Sequence, residues 1–285
     1  MGKVRDAMAR DLQLRELATS TVDAYLRGAR GLVAFYRRPP SALTREEILD
    51  YAAHMRDRGL SPSSRRVYLA AIRFMYRVTL RQPDKVENLP VPKVAKRKLR
   101  VLKGSEILRL RGAIADRKHR AIFCVLYGCG LRVSEVCRLR IEDVDSARGR
   151  ILVRDGKGAK DRYVPLSAAL LRELREYYAE RRPSAPYLFP GMKPKCPIVP
   201  RSVNRYLRDV SERLGFEPHV TPHQLRHAYA MYQLELGIEL RVVQLLLGHA
   251  DPRSTVHYVT LTEKVLRRCP SPLDQLGTAM ARRLA

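Results

Sequence analysis

The segment Thr221 to His227 reads TPHQLRH. It sets His223 and His227 four positions apart and places Arg226 three positions after His223. Thr221-x-x-Gln224 has the form of a capping box, with Pro222 at the first helical position. The pattern predicts a helix from Pro222, with His223 in its first turn and Arg226 one turn along on nearly the same face. A metalloprotease helix of the form His-Glu-x-x-His uses its glutamate as general base. Here Gln224 holds that place and cannot take a proton. His219 precedes the helix, and no acidic residue lies between it and His227. Zinc is therefore not expected, and His227 reads as a structural histidine turned into the packing. An anion suits the pair better. Arginine presents a planar fork that matches two phosphate oxygens. A helix N-terminus adds its positive end. An imidazole beside a bound phosphate exchanges a proton near neutral pH.

Other stretches supply matching pieces. Tyr127 to Glu135 reads YGCGLRVSE, a glycine-broken junction that delivers Arg132 near the start of a new helix, with Glu135 one turn later and able to brace it. Asp155 to Asp161 reads DGKGAKD, a turn that sets Lys157 between two glycines, where backbone can approach a nucleic acid closely. It lacks the Gly-Lys-Ser/Thr ending of a nucleotide-binding phosphate loop. In Leu247 to Pro252, Gly248 ends one helix and exposes His249 before the next. Tyr258 follows nine positions after His249. Each of these alone is weak. An arginine in GLR is usually only an arginine, and a lone tyrosine is usually a buried ring.

Charge narrows the choice of partner. The 285 residues hold 55 Lys and Arg against 29 Asp and Glu, a formal net charge of +26. With 45% hydrophobic residues the chain has material for a core, so the excess points to a polyanion partner rather than to disorder. A merely solvated basic surface is the bland alternative. A membrane partner is not expected. The longest apolar block, Ala121 to Tyr127, is far too short to span a bilayer, and the start MGKVRD carries neither a myristoylation signal nor a signal-peptide core. The five cysteines are odd in number and show no CxxC spacing. They read as reduced thiols of a cytosolic protein rather than a disulfide frame or zinc site.

The elements that must position these residues fall into two groups. About ninety N-terminal residues read as some four helices. Leu12, Leu17, Val22, Tyr25, Leu26, Leu32, Val33 and Phe35 recur near helical spacing. Ser20-Thr21 offers a cap for the second helix. Thr44-x-x-Glu47 is a capping box for a third that ends at Gly59. Ser61-Pro62 opens a fourth to about Thr79, with Val67, Leu69, Ile72, Phe74, Met75 and Tyr76 as candidate core. From Leu89 to Arg100 there are two prolines and five basic residues. That composition predicts an extended basic linker, with Lys93, Lys96, Arg97, Lys98 and Arg100 placed to cross a phosphate backbone. Beyond it, Ile151 to Arg154 and Arg162 to Pro165 read as a β-hairpin about the glycine turn. Helices are expected at about 167–181, 200–214, 222–236, 240–247 and 252–260.

The ordered set GLRVSE, GKGAKDRYVPL, HQLRH, LLLGHADPRST and HY resembles the tyrosine recombinase (phage integrase) family, in its compact Xer-like form. The resemblance spans essentially the whole chain. It implies a mainly α fold with a small β-sheet in a two-domain architecture. Residues 1–89 would form a helical core-binding, DNA-binding domain, 90–100 the basic linker, and 101–285 a mixed α/β catalytic domain with a tail at about 269–285. The family's two catalytic arginines match Arg132 and Arg226. Its hairpin lysine matches Lys157 by its place in GKG, with Lys160 the nearby competitor. The other catalytic positions match His223 and His249, with Tyr258 as the nucleophile. Glu135 stands where the family has an acidic support residue.

The implied activity is site-specific DNA recombination through a 3′-phosphotyrosyl intermediate, with no metal or other cofactor. The implied partner is double-stranded DNA with a specific target site, bound by a homotetramer on two sites. The implied location is cytoplasmic, with the nucleoid. After Arg268, the residues Leu273, Leu276, Met280 and Leu284 suit a short amphipathic helix. In proteins the chain resembles, such a tail docks on the neighbouring protomer, whereas packing on its own domain is the plainer reading. Three rivals stand beside this one: a type IB topoisomerase-like enzyme that religates the same strand, a non-catalytic DNA-binding protein with the same fold, and a metal-dependent nuclease. The last needs carboxylate clusters that the sequence does not offer.

Overall fold

The computed structural model describes residues 2–94, 100–154, 161–193, 195–248 and 272–273. The chain divides into two compact units, Met1–Lys98 and Leu99–Ala285, and each builds its own core.

The first unit is helical: α1 (Gly2–Gln13), α2 (Thr19–Tyr36), α3 (Arg45–Asp57) and α4 (Pro62–Phe74), the last running on through a π-helical turn at Met75–Thr79. Local signals set most of the boundaries. Thr44 Oγ1 accepts from Glu47 N at 3.2 Å while Thr44 N donates to Glu47 Oε2 at 2.8 Å, the capping box read from the sequence. Ser61 Oγ accepts from Ser64 N at 3.2 Å ahead of Pro62. The start of α2 differs from expectation. Its N-cap is Ala18, with no side-chain cap bond, so Ser20 and Thr21 lie inside the first turn instead of closing it. Leu12, Leu32, Leu69, Ile72, Met75 and Tyr76 are buried in one core with Met8 and Ile48. Val67 is not core. It is 38% exposed, because the helical period that turns Leu69 and Ile72 inward carries it to the rim. Leu17 and Phe35 also sit at the surface, Phe35 with its ring 4.2 Å from that of His54.

Leu89 closes the first core and Leu102 opens the second. Between them Pro90–Val94 is neither helix nor strand, as the prolines predict, and Lys93 is exposed. Arg100 pairs with Glu106 and donates to Glu217 O at 3.2 Å, so it is tied into the second unit. Lys96, Arg97 and Lys98 lie outside the described residues.

The second unit runs α5 (Gly104–Ala113), α6 (Arg117–Cys129), α7 (Val133–Arg138), β1 (Val144–Asp145), β2 (Arg150–Val153), β3 (Arg162–Pro165), α8 (Ala168–Arg181), α9 (Pro200–Arg213), α10 (Pro222–Glu235) and α11 (Leu240–Leu247). Every residue from Ala121 to Cys129 is buried, so the apolar block noted in the sequence is the central helix of this unit. It packs against α8 and α10. The expected hairpin is present, antiparallel, with Ile151 opposite Val164 and Val153 opposite Arg162. A third strand was not foreseen. Two residues are too few to show an alternating pattern, and β1 exists through its pairing of Val144 with Ile151.

The helix expected near 252–260 and most of the tail lie outside the described residues. Leu273 is described, is 4% exposed, and belongs to the core of its own unit. No described helix is long and apolar enough to cross a membrane.

Candidate active site

Four of the seven residues singled out for chemistry or its support are described: Arg132, Glu135, His223 and Arg226. Lys157, His249 and Tyr258 lie outside the described residues.

Arg132 owes its place to Gly130. That glycine ends α6 at φ +63°, a left-handed turn that side chains disfavour. A Cβ there would stand 2.4 Å from Tyr229 Cδ1 and 2.9 Å from Leu247 Cδ2, so the packing also demands glycine. The chain reverses, and Arg132 becomes the residue that leads into α7. Its N–H donates to Glu135 Oε2 at 2.8 Å and its Nη1 to Glu135 Oε1 at 2.8 Å. Glu135 thus braces Arg132 one turn away, the relation the spacing suggested. The Arg132 side chain keeps 30% of its surface open. A guanidinium has five N–H donors, so its bonds to Glu135 and to Gly248 O at 3.3 Å leave capacity for a ligand.

Arg226 arrives from α10. Thr221 and Gln224 form the expected box, with Thr221 N donating to Gln224 Oε1 at 2.9 Å and Gln224 N to Thr221 Oγ1 at 3.3 Å. One turn on, Arg226 is buried. Its Nη1 donates to Gly130 O at 2.9 Å and lies 3.8 Å from Glu135 Oε2. Its Nη2 donates to Leu247 O at 2.6 Å. Burial and the neighbouring Arg132 push its pKa down to about 10 against the opposing pull of Glu135. The group stays charged at neutral pH, and an arriving anion would relieve the strain. His223 is exposed in the first turn of the same helix, beside its N-terminal N–H groups, while His227 is half-buried.

A third arginine, not singled out in the sequence, completes the cluster. Arg162 begins β3 and donates from Nη1 and Nη2 to the two oxygens of Glu135, at 3.1 and 2.9 Å. A signal was available. Strand alternation puts Arg162 on the inward face with Val164, and a cation there needs a partner. The three arginines also take the last three carbonyls at the C-terminal end of α11. Arg162 Nε donates to Leu246 O at 2.9 Å, Arg226 Nη2 to Leu247 O at 2.6 Å, and Arg132 Nη2 to Gly248 O at 3.3 Å. A helix C-terminus leaves such carbonyls unpaired and carries partial negative charge, which three cations satisfy. His249 is the next residue in the sequence. Three guanidiniums against one carboxylate leave positive charge in excess, which favours an anion at the accessible face of Arg132.

A basic cleft of about 340 Å³ adjoins the start of α10. It is lined by Arg201, Arg205 and Arg208 from the exposed face of α9, with His219 and Thr221. Val203, Leu207 and Val210 fill the opposite face of that helix. Among the described residues, no group of three or more His, Cys, Asp or Glu side chains is arranged to hold a metal ion.

A cluster of arginines gathered on one glutamate beside a helix start is suited to holding a phosphate, the group on which DNA strand transfer acts. The chain belongs to the phage integrase family, the tyrosine recombinases. The phage integrase family model matches residues 100–264, and that of the phage integrase N-terminal SAM-like domain matches residues 4–85. The chain is 36% identical to a putative integrase/recombinase of Sinorhizobium fredii, over 97% of this chain and 90% of that protein. It is 35% identical to tyrosine recombinase XerA of Pyrococcus horikoshii, over 79% of this chain and 78% of that protein. Its fold matches that of a lambda integrase dimer bound to a COC′ core site, with a TM-score of 0.71 at 18% identity, covering 92% of this chain and 99% of that one.

Proposed function

We propose that the chain cuts and rejoins DNA at a specific site, using Tyr258 as nucleophile. The observation that carries this reading is the convergence of Arg132 and Arg226 on Glu135 at the end of α11, two residues before His249 in the sequence. The Tyr258 oxygen attacks the scissile phosphorus as its proton is removed or shared, with His223 the acceptor or positioning group. Charge that builds on the non-bridging oxygens is held by Arg132 and Arg226, with a further hydrogen bond from His249. The bond to the 5′-oxygen breaks, and Lys157 gives that oxygen a proton. The product is a 3′-phosphotyrosyl link that keeps the energy of the broken bond. A 5′-hydroxyl from a partner strand then attacks the phosphorus and releases the tyrosine.

Double-stranded DNA is the partner in this reading, and four subunits on two sites supply the exchanging strands. The basic cleft along α9 and the exposed Lys93 suit a phosphate backbone. In this reading residues 1–89 grip the DNA, 90–100 form the strap, and the protein works in the cytoplasm with the nucleoid.

The test is to incubate the wild-type protein and Tyr258→Phe with fragmented host DNA, denature, capture protein-linked fragments and sequence them. Links with wild type alone, sharing one sequence, are expected. Links formed by Tyr258→Phe would overturn the assignment of the nucleophile. Binding without links by either protein would favour a non-catalytic DNA-binding role.

A further inference from the structure

Arg162 spends all three of its guanidinium nitrogens inward. Nη1 and Nη2 grip the two oxygens of Glu135 at 3.1 and 2.9 Å, and Nε holds Leu246 O at 2.9 Å. The side chain is 10% exposed, and each of its three nitrogens is already bonded to protein. A Cβ on Gly248 would come within 3.0 Å of its guanidinium carbon, so that glycine makes room for the group. One planar fork therefore joins three things: the strand that leaves the Lys157 turn, the glutamate that braces Arg132, and the helix end that precedes His249.

We infer that Arg162 is a positioning residue for strand cleavage, acting through Glu135 to orient Arg132 and through Leu246 to fix the end of α11. This rests on the recombinase reading of the site. A carboxylate held at both oxygens by a fork has one orientation, and in that orientation Glu135 receives Arg132 at both its N–H and its Nη1. Without the fork the carboxylate keeps only the bonds from Arg132, is held less firmly and, being buried, takes a proton more readily. Glu135 faces Arg132, Arg162 and Arg226, and a cavity of about 160 Å³ lined also by Arg138, Arg140, Asp143, Arg154 and Tyr187. Burial pushes its carboxyl up. The hydrogen bonds and charge of Arg162, followed by those of Arg132, more than reverse this and hold it below its ordinary value. Loss of Arg162 therefore raises the pH at which Glu135 is neutralised and releases Arg132.

The experiment uses the full chain and a duplex carrying the sequence recovered from wild-type links. Single-turnover adduct formation is measured from pH about 5 to about 8, around the unperturbed glutamate value. Arg162→Gln is expected to slow adduct formation about 10- to 100-fold near neutral pH, the usual cost of losing a group that orients a reacting one. Its acid limb should move to higher pH than that of wild type. Glu135→Gln should lack that limb, and the double variant should be no slower than the slower single one, because the two residues act as a unit. Arg162→Lys keeps the charge but loses the fork, and should fall between wild type and Arg162→Gln. A wild-type pH profile in Arg162→Gln, with a cost that adds to that of Glu135→Gln, would overturn the inference. Melting curves identify a variant that fails to fold. Should Arg162→Gln fail, Arg162→Lys decides, and a wild-type rate and profile in it overturns the inference. Absence of adduct with wild type refutes the recombinase reading itself and is seen in the wild-type lane alone.

Discussion

Arg226 donates to the carbonyl of Leu247 at 2.6 Å, and so joins the helix whose first turn carries His223 to the helix that ends before His249. The same guanidinium reaches Gly130 O at 2.9 Å, two residues before Arg132. One side chain thereby sets the relative placement of three segments. Its proposed chemical task and its structural task cannot be separated by a single substitution, but each predicts its own measurable loss.

Arg226→Ala should abolish adduct formation, a fall of at least about 10²-fold if one charge-holding group is lost. It should also destabilise the fold by about 1–3 kcal/mol, because the carbonyls of Gly130 and Leu247 lose a buried donor. Arg226→Lys should rescue little, since a point ammonium lacks the planar fork that spans both carbonyls and a phosphate. Denaturation curves and covalent capture check the two parts.

His223→Ala should behave in the opposite way. The residue is exposed at the start of α10, so stability should change by no more than about 0.5 kcal/mol. Adduct formation should fall by about 10²- to 10⁴-fold if the imidazole moves a proton. A variant with wild-type cleavage would remove His223 from the chemistry.

Glu135→Gln should reveal a pH-dependent part of stability. The folded carboxyl is held below its ordinary value, so its ionised form stabilises the native state above the unfolded glutamate pKa of about 4.3. That contribution is lost as pH falls through the lower folded value. Denaturant titrations should therefore find wild type more stable than Glu135→Gln at neutral pH, by about 3–5 kcal/mol for a broken buried pair. The gap should narrow as the solution is acidified below about pH 4. A gap independent of pH would show that the Glu135 carboxyl titrates alike in the folded and unfolded chains.

Gly130→Ala should lower the melting temperature and the cleavage rate together. The substitution strains a left-handed backbone and drives a methyl group into Tyr229 and Leu247. Overpacking of this kind costs about 1–3 kcal/mol. The displaced turn carries Arg132 on one side and the carbonyl that Arg226 uses on the other.

Much of the site was legible because its parts are local. Capping boxes at Thr44 and Thr221 work over four residues, and a capped helix start fixes His223 and Arg226 on one face whatever surrounds them. Gly130 and Gly248 mark left-handed helix ends that few other residues tolerate. Strand alternation gave the hairpin, and the brace of Glu135 on Arg132 is a contact across one helical turn. The exposed Val67 and the uncapped start of α2 differ from the sequence expectation, because tertiary packing decides which part of an apolar stripe is covered.

What the sequence by itself determined is the set of groups and the short-range geometry of each: which residues are present, which start or end a helix, and which share a face. Only the tertiary structure decided that Arg132, Arg162 and Arg226 meet. They come from a loop, a strand and a helix up to 94 residues of chain apart, and no local rule links them. What brings them together is physical necessity at one place. The end of α11 has unpaired carbonyls, Glu135 is a buried charge, and both are satisfied when three cations converge on them.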